Sequence, residues 1–272
     1  MDDHELHDAG ASPEAPRPRP DDDWEQHWQA YADAASLNPA QAFRRQLVVD
    51  WLGLARAPAP VRVLELGSGQ GDFGRELCAA RPGIELLGLD RSQAGLAIAR
   101  RKVPQATFVC CDLEQPIALP ERYRGWATHA VCSEVLEHVA EPSAVLRHAW
   151  PFLAPGARLV VTVPGGPRSA FDRHIGHRRH FDRDALGALL RDAGYEVGCV
   201  AGAGFPFFDL YRLAVIASGR SLVRRAADPA LSASLLGRAA SRLFRELFRL
   251  NLAPGRLGWQ RVAWATRPAV PA

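Results

Sequence analysis

Lysine is almost missing from this chain: Lys102 is the only one, so the positive charge is otherwise arginine, with 33 basic side chains against 30 acidic ones and a formal net charge of +3. This imbalance reads as codon usage rather than function. Cysteine is scarce too. The five present (Cys78, Cys110, Cys111, Cys132, Cys199) are odd in number and none form a CxxC pair, which excludes a zinc ribbon or a dithiol redox motif and fits a reducing, cytoplasmic setting. No apolar h-region follows the acidic N-terminus, so no secretory signal is expected. A membrane-spanning run is also missing: the most apolar stretch outside the core candidates, Phe205 to Ala217, carries Asp209 and Arg212 and is too short to span. With 47% apolar and 23% charged residues over 272 positions, the chain is neither fibrous nor mainly disordered. It is long enough to bury a large core without disulfides or a structural metal.

Residues 1–23 hold eight acids against two arginines, and four prolines fall between Pro13 and Pro20, the composition of a solvated, disordered acidic tail. From 24 to 59 the aromatic and apolar spacing (Trp24, Trp28, Tyr31, then Phe43, Leu47, Trp51) predicts two amphipathic helices broken near Asn38-Pro39. Strands and helices then alternate through a core spanning 60–204. Strands are expected at Val61–Leu66, Ile84–Asp90, Thr107–Cys111, Ala127–Cys132, Ala157–Val163 and Tyr195–Val200. Helices are expected at Asp72–Ala80, Gln93–Lys102, Pro142–Leu153 and Arg183–Ala193. Near-continuous apolar strands between helices indicate an α/β, Rossmann-like doubly wound sheet, buried on both faces. Residues 205–256 form a Leu-, Phe- and Arg-rich insert in which nine arginines from Arg212 to Arg256 face only Asp228 and Glu246. A last strand, Trp259–Thr266, returns to the sheet in the segment 257–272.

The sharpest chemical signal is Val63-Leu64-Glu65-Leu66-Gly67-Ser68-Gly69-Gln70-Gly71-Asp72, a buried strand entering a glycine turn that opens a helix. Such a turn lets the backbone approach a ligand and aim amides at it. Gly69, Gly71 and Gly74 also satisfy GxGxxG, so a nicotinamide dehydrogenase is a competing reading. Three strand ends separate the two. Glu65 suits a cationic amino group and would repel a pyrophosphate. Asp90, nineteen residues after Gly71, suits ribose hydroxyls. Asp112 can accept from the exocyclic amine of adenine while Leu113 packs on the ring. Together they describe a ligand with amino acid, ribose and adenine parts.

With Cys132-Ser133-Glu134-Val135-Leu136-Glu137-His138-Val139 after the fourth strand and Phe152-Leu153-Ala154-Pro155-Gly156-Ala157-Arg158-Leu159 entering the fifth, residues 61–200 resemble a class I S-adenosylmethionine-dependent methyltransferase of the small-molecule type. The resemblance implies a seven-stranded sheet with the last strand antiparallel. It also implies a cofactor site lined by Glu65, Gly67, Ser68, Gly69, Gly71, Asp90, Arg91, Cys111, Asp112, Leu113, Ser133 and Glu134. S-adenosylmethionine would be the cofactor, S-adenosylhomocysteine its product, and a small molecule the methyl acceptor. The Asp/Asn-Pro-Pro-Tyr signature of base methylation is absent, and Cys132 lacks the proline of a cytosine-directed Pro-Cys pair, so no nucleic-acid partner is expected.

Two further clusters remain. Arg173-His174-Ile175-Gly176-His177-Arg178-Arg179-His180-Phe181 follows the fifth strand, where loops open at the ligand-binding edge. His174, His177 and His180 there, with Glu134, are candidate general bases; structural hydrogen bonding is the alternative. The interleaved arginines and the lack of an accompanying carboxylate set argue against a metal, and none is expected. In the insert, Phe205, Phe207, Phe208 and Tyr211 are candidates for an apolar acceptor pocket. A plain helical cap and a basic face on a membrane surface are the other readings. The expected activity is methyl transfer to a lipophilic, secondary-metabolite-like acceptor, at oxygen before nitrogen or carbon. The alternatives are a cofactor-binding regulator without turnover and a macromolecule-directed enzyme. Oligomeric state is left open.

Overall fold

The computed structural model describes residues 38–226 and 235–269. The expected acidic tail and the first of the two N-terminal helices lie outside the described residues.

Helix α1 (Pro39–Leu52) starts where the Asn38-Pro39 break was expected. Proline at its first position needs no amide partner, and the Asn38 side chain accepts from the Ala40 amide at 2.9 Å. Strands β1 (Arg62–Leu66), β2 (Glu85–Asp90), β3 (Thr107–Cys110), β4 (Ala127–Ser133) and β5 (Leu153–Pro164) pair in parallel. They alternate with α2 (Asp72–Ala80), α3 (Gln93–Lys102) and α4 (Pro142–Ala149). After β5 come a short α5 (Ala170–His174), then α6 (Arg183–Asp192) and β6 (Glu196–Ala203). The insert supplies α7 (Phe207–Ala226) and α8 (Leu235–Phe248) before β7 (Gln260–Thr266), which runs antiparallel between β5 and β6.

The seven strands lie in the order β3-β2-β1-β4-β5-β7-β6, so the order reverses between β1 and β4 and opens a crevice at their carboxyl ends. Leu64, Leu66, Leu87 and Leu89 face α4 and α6, whereas Val63, Val131 and Val160 face α1, α2 and α3. Both faces are covered, as the apolar strand pattern required.

The insert, with α1, forms a third cluster in which Ala40, Phe208 and Phe248 are buried and Phe43, Phe207, Tyr211 and Phe244 pack around them. Phe43 and Phe208 stand 5.0 Å apart between ring centroids, and Phe208 is only 1% exposed. This revises the expectation that all four insert aromatics face an acceptor. At helical spacing, Phe207, Phe208 and Tyr211 fall on the inner side of α7 and pack the cap. Among the described residues no helix is long and apolar enough to cross a membrane.

Helix α5 was not anticipated, although Ser169 and Asp172 carry its signal as a capping box. Asp172 is fully buried and accepts from Arg212 at 3.0 and 3.2 Å and from the Ser169 amide and hydroxyl at 2.7 Å each, tying the loop after β5 to α7. Burial opposes its ionisation, but Arg212 and the Ser169 bonds outweigh that and hold the carboxyl down to about 2. Its stabilising contribution should therefore be complete above pH ~4 and be lost as the pH falls toward ~2. Arg212→Ala, which leaves an uncompensated buried charge, should cost about 3–5 kcal/mol in a urea titration at pH 7 and flatten that acid limb. A cost within ~0.5 kcal/mol would show that the pair does not hold the cap.

Candidate active site

At the crevice, β1 runs directly into the glycine turn and α2. Gly67 and Gly71 sit at φ +79° and +77°, and a Cβ would stand 2.3 Å from Val135 Cγ2 at the first and 2.9 Å from Ala99 at the second. Only glycine fits both the torsion and the space. The turn folds over the end of β2, where the Gly67 and Ser68 amides donate to the Leu89 carbonyl at 2.8 and 3.0 Å. Asp90 organises the next layer, accepting from the Gly69 amide at 2.7 Å and the Ser92 amide at 2.8 Å. Burial pushes its carboxyl up while these amides pull it down.

Glu65 is buried beneath the turn, and its Oε2 has no hydrogen-bond partner. Burial, then Asp90 and Asp72, raise its pKa well above the ordinary carboxylate range. The Ser68 hydroxyl is likewise buried and unpartnered. Along the edge, the Cys111 amide donates to the Asp90 carbonyl at 2.9 Å, and burial pushes the half-buried Cys111 thiol up to about 12. Arg91 is half-buried beside them. Asp112 accepts from the Glu114 amide at 2.9 Å, and Leu113 is buried next to it. Cys132 is wholly buried and its thiol is raised by burial, then by Glu137 and Glu134, as a packing residue's would be.

The exit of β4 is held by long-range contacts. Ser133 Oγ lies 2.7 Å from Thr162 Oγ1 on β5. Glu134 adopts φ 56°, strained for a non-glycine residue. Its carboxylate accepts from Thr162 Oγ1 at 3.1 Å and Gln260 Nε2 at 2.8 Å, and pairs with Arg44 Nε at 2.9 Å. Arg44 and Gln260 went unrecognised in the sequence. Residues 216 apart, they bond each other at 2.8 Å, and no local pattern marks such a pair.

The histidine loop divides. His174 is exposed at the end of α5. His177 is buried and His180 half-buried, with His177 Nδ1 3.3 Å from His180 Nε2. His180 Nδ1 lies 3.0 Å from the Gly166 carbonyl, which only accepts, so that nitrogen carries the proton and Nε2 is the acceptor. His177 then donates through Nδ1 and turns the lone pair of Nε2 toward Glu137, at 4.0 Å. Burial, then His138, lowers His177 to about 2, and burial lowers His180, so both rings are neutral at pH 7.

A model of the methyltransferase domain matches residues 40–200, more than half of the chain. The chain belongs to this methyltransferase family. The ubiquinone biosynthesis O-methyltransferase of Pseudomonas paraeruginosa is 29% identical over 186 residues, covering 62% of this chain and 79% of that protein. The [4+2]-cyclase SpnF shares the fold with a TM-score of 0.60 at 19% identity, over 90% of this chain and 95% of its own. A phosphoethanolamine N-methyltransferase from Haemonchus contortus, solved with S-adenosylhomocysteine, gives 0.59 at 15% identity, over 90% of this chain and 57% of its own.

The methyltransferase uses S-adenosylmethionine as its cofactor, a sulfonium that supplies the transferable methyl. The unpartnered Glu65 carboxyl, the glycine cradle and the amide-bound Asp90 fit such a group, and a pyrophosphate beside buried Glu65 and Asp90 would not. S-adenosylhomocysteine should therefore raise the melting temperature, and NAD should not. Asp90→Ala should weaken binding by about 1.5–3 kcal/mol, the scale of hydrogen bonds to a charged group. Equal shifts with both ligands in thermal melts would overturn the assignment.

Proposed function

We propose that this methyltransferase transfers the methyl group to a hydroxyl oxygen of a small lipophilic, natural-product-like acceptor presented at the β4 exit. One observation carries the reading: two carboxylates around that exit already have arginine partners, and burial raises the third, Glu137, well above the ordinary carboxylate range. Glu134 pairs with Arg44 and Asp172 with Arg212, so neither is left to recognise a cationic amine. A neutral hydroxyl meets no such mismatch. The similarity to an O-methyltransferase of ubiquinone biosynthesis supports the choice of atom and the lipophilic class. A groove of about 530 Å³ lined by Phe205, Leu210, Leu213, Leu257 and Trp259, with Asp209, Arg256 and Arg261 also on its wall, offers a largely hydrophobic surface to such an acceptor.

The cofactor would lie over the glycine turn, with Glu65 toward its amino group, Asp90 at the ribose, and Asp112, Leu113 and Cys111 around the adenine. Ser68, Arg91 and Ser133 complete the lining. Transfer to oxygen is an in-line displacement in which the acceptor loses its proton, and most of the protein's contribution is positioning and exclusion of water. Glu134 is held too firmly to swing, which suits a group that orients the acceptor. The neutral pair His177–His180 is the other candidate proton acceptor, although burial makes both rings weaker bases than free imidazole.

Incubation with S-adenosylmethionine and a panel of phenols, alkyl alcohols and amines tests the reading by mass spectrometry, with hydroxyl products expected. At least one of Glu134→Gln, His177→Ala and His180→Ala should lower the transfer rate by about 10²-fold with little change in cofactor affinity. Methylated amines without methylated hydroxyls would overturn the choice of atom. Cofactor binding with no product from any acceptor class would favour a regulator that keeps the fold without turnover.

A further inference from the structure

Ser133 and Thr162 stand in register at the ends of β4 and β5. By strand alternation they share the sheet face of Val131 and Val160, the α1 side from which Arg44 reaches in. Thr162 is wholly buried, whereas Ser133 is half-buried where its strand opens on the crevice. Their partners fix where each hydrogen points. The Thr162 hydroxyl has one hydrogen, and it goes to Glu134 Oε1 at 3.1 Å. The 2.7 Å bond between Ser133 Oγ and Thr162 Oγ1 is therefore donated by Ser133. With its own hydrogen committed, Ser133 Oγ can only accept from a group in the crevice.

The far end of this chain is fixed as firmly. Gln260 Nε2 donates to Glu134 Oε1 at 2.8 Å and to the Val163 carbonyl at 3.0 Å, and Gln260 Oε1 accepts from Arg44 Nε at 2.8 Å. The amide cannot be turned over, because the Val163 carbonyl only accepts and the guanidinium only donates. The φ of 56° at Glu134 lets one residue meet Thr162 twice, its amide donating to the Thr162 carbonyl at 3.0 Å and its carboxylate accepting from the hydroxyl.

We propose that Ser133 is a catalytic residue that takes the proton of the methyl acceptor, and that Thr162 passes a proton on to Glu134. The acceptor hydroxyl donates to Ser133 Oγ. As the acceptor oxygen attacks, its proton moves to Ser133, the Ser133 proton to Thr162 and the Thr162 proton to the Glu134 carboxylate. The oxygen–methyl bond forms, the sulfur–methyl bond breaks, and a neutral thioether departs. One carboxylate charge and one sulfonium charge are lost together. The Glu134 side chain, 15% exposed, returns the proton to water once the product has left. Such a relay deepens the hydroxyl-transfer reading and rests on it for the acceptor. It also gives the immobile Glu134 a part in the chemistry, since two hydroxyls bring the proton to a base that stays in place. His177 and His180 belong to a separate set of bonds, to each other and to the Gly166 carbonyl.

The full-length chain and its variants are assayed at pH 7 with saturating S-adenosylmethionine and a series of alkyl alcohols and phenols of rising acidity. Thr162→Val fills the same space without the hydroxyl, and Ser133→Ala removes the other one. Each should lower the rate with an alkyl alcohol by about 10²-fold, the scale of proton-transfer catalysis. Thr162→Ser, which restores a hydroxyl, should recover most of that rate. Acceptor acidity separates a relay from mere packing: the losses should vanish for phenols already ionised at pH 7, which have no proton to move. Melting temperature and S-adenosylhomocysteine affinity are measured for the Thr162 variants, and if Thr162→Val does not fold, Ser133→Ala carries the acidity series. Losses equal at every acidity, or wild-type rates with alkyl alcohols in the folded variants, overturn the proposal. If the wild-type chain methylates amines alone, the choice of oxygen fails by itself, and the same comparison along amines of falling basicity decides the relay. Hydroxyl products with acidity-independent losses sink the relay alone, and no product from either class overturns both.

Discussion

The position of Arg44 governs the side of the crevice facing the acceptor. Arg44 is 8% exposed, and its Nε lies between Glu134 Oε2 at 2.9 Å and Gln260 Oε1 at 2.8 Å while Cζ lies 5.6 Å from the centre of the Phe208 ring. One side chain from α1 thereby meets the exit of β4, the first residue of β7 and the first turn of α7. Burying a guanidinium is costly, and the cost is offset only when each charge has a well-placed partner. The partner is Glu134, whose strained φ of 56° persists because Arg44, Gln260 and Thr162 hold its carboxylate. The cap is therefore tied to the sheet by polar contacts at the exit of β4, and by aromatic packing farther out.

The two sides of the crevice differ in how they are built, and this decides what could be read in advance. At the ends of β1, β2 and β3 the determinants are local. Gly67 and Gly71 answer to torsion and close approach, and Asp90 bonds the backbone of Gly69 and of Ser92, which follows it by two residues. Such features leave short patterns in the sequence, and the helices Asp72–Ala80 and Gln93–Lys102 were legible to the residue for the same reason. At the ends of β4, β5 and β7 the determinants are long-range. Arg44 with Gln260, Glu134 with Gln260, and Asp172 with Arg212 join residues 216, 126 and 40 positions apart, and no periodicity encodes such pairs. The insert aromatics were visible as a cluster, but which way they face depends on α1 and α8 together.

Histidine chemistry is decided by this long-range context. Free imidazole titrates near 6.5, which in isolation makes it the obvious base. Burial and the neighbouring His138 instead take His177 to about 2, so its neutral form is held and its lone pair is directed inward. A group tuned in this direction is a poorer proton acceptor but stays neutral across the physiological range, with a lone pair free of competition from protons. The same burial, with Glu134 close by, raises Glu137 well above the carboxylate range. Both shifts have the same largest cause: removal of charged groups from water.

A shared fold leaves the reaction open, because a cyclase and an N-methyltransferase share this one at TM-scores of 0.60 and 0.59. The proposed choice of a neutral acceptor rests on how charge is distributed at the β4 exit. Two arginines, each from outside the strand–helix repeat of the core, neutralise Glu134 and Asp172 and leave Glu137 without a cationic partner at hydrogen-bonding distance. Had Arg44 or Arg212 been apolar, the exit would present uncompensated carboxylates and would favour a cationic acceptor. With both in place, the acceptor we propose is a neutral one. Under the proposed function, the helices flanking the core do more than cover the crevice: by supplying Arg44 and Arg212 they set the electrostatic character of the β4 exit, while the glycine turn and Asp90 form the side that fits the cofactor.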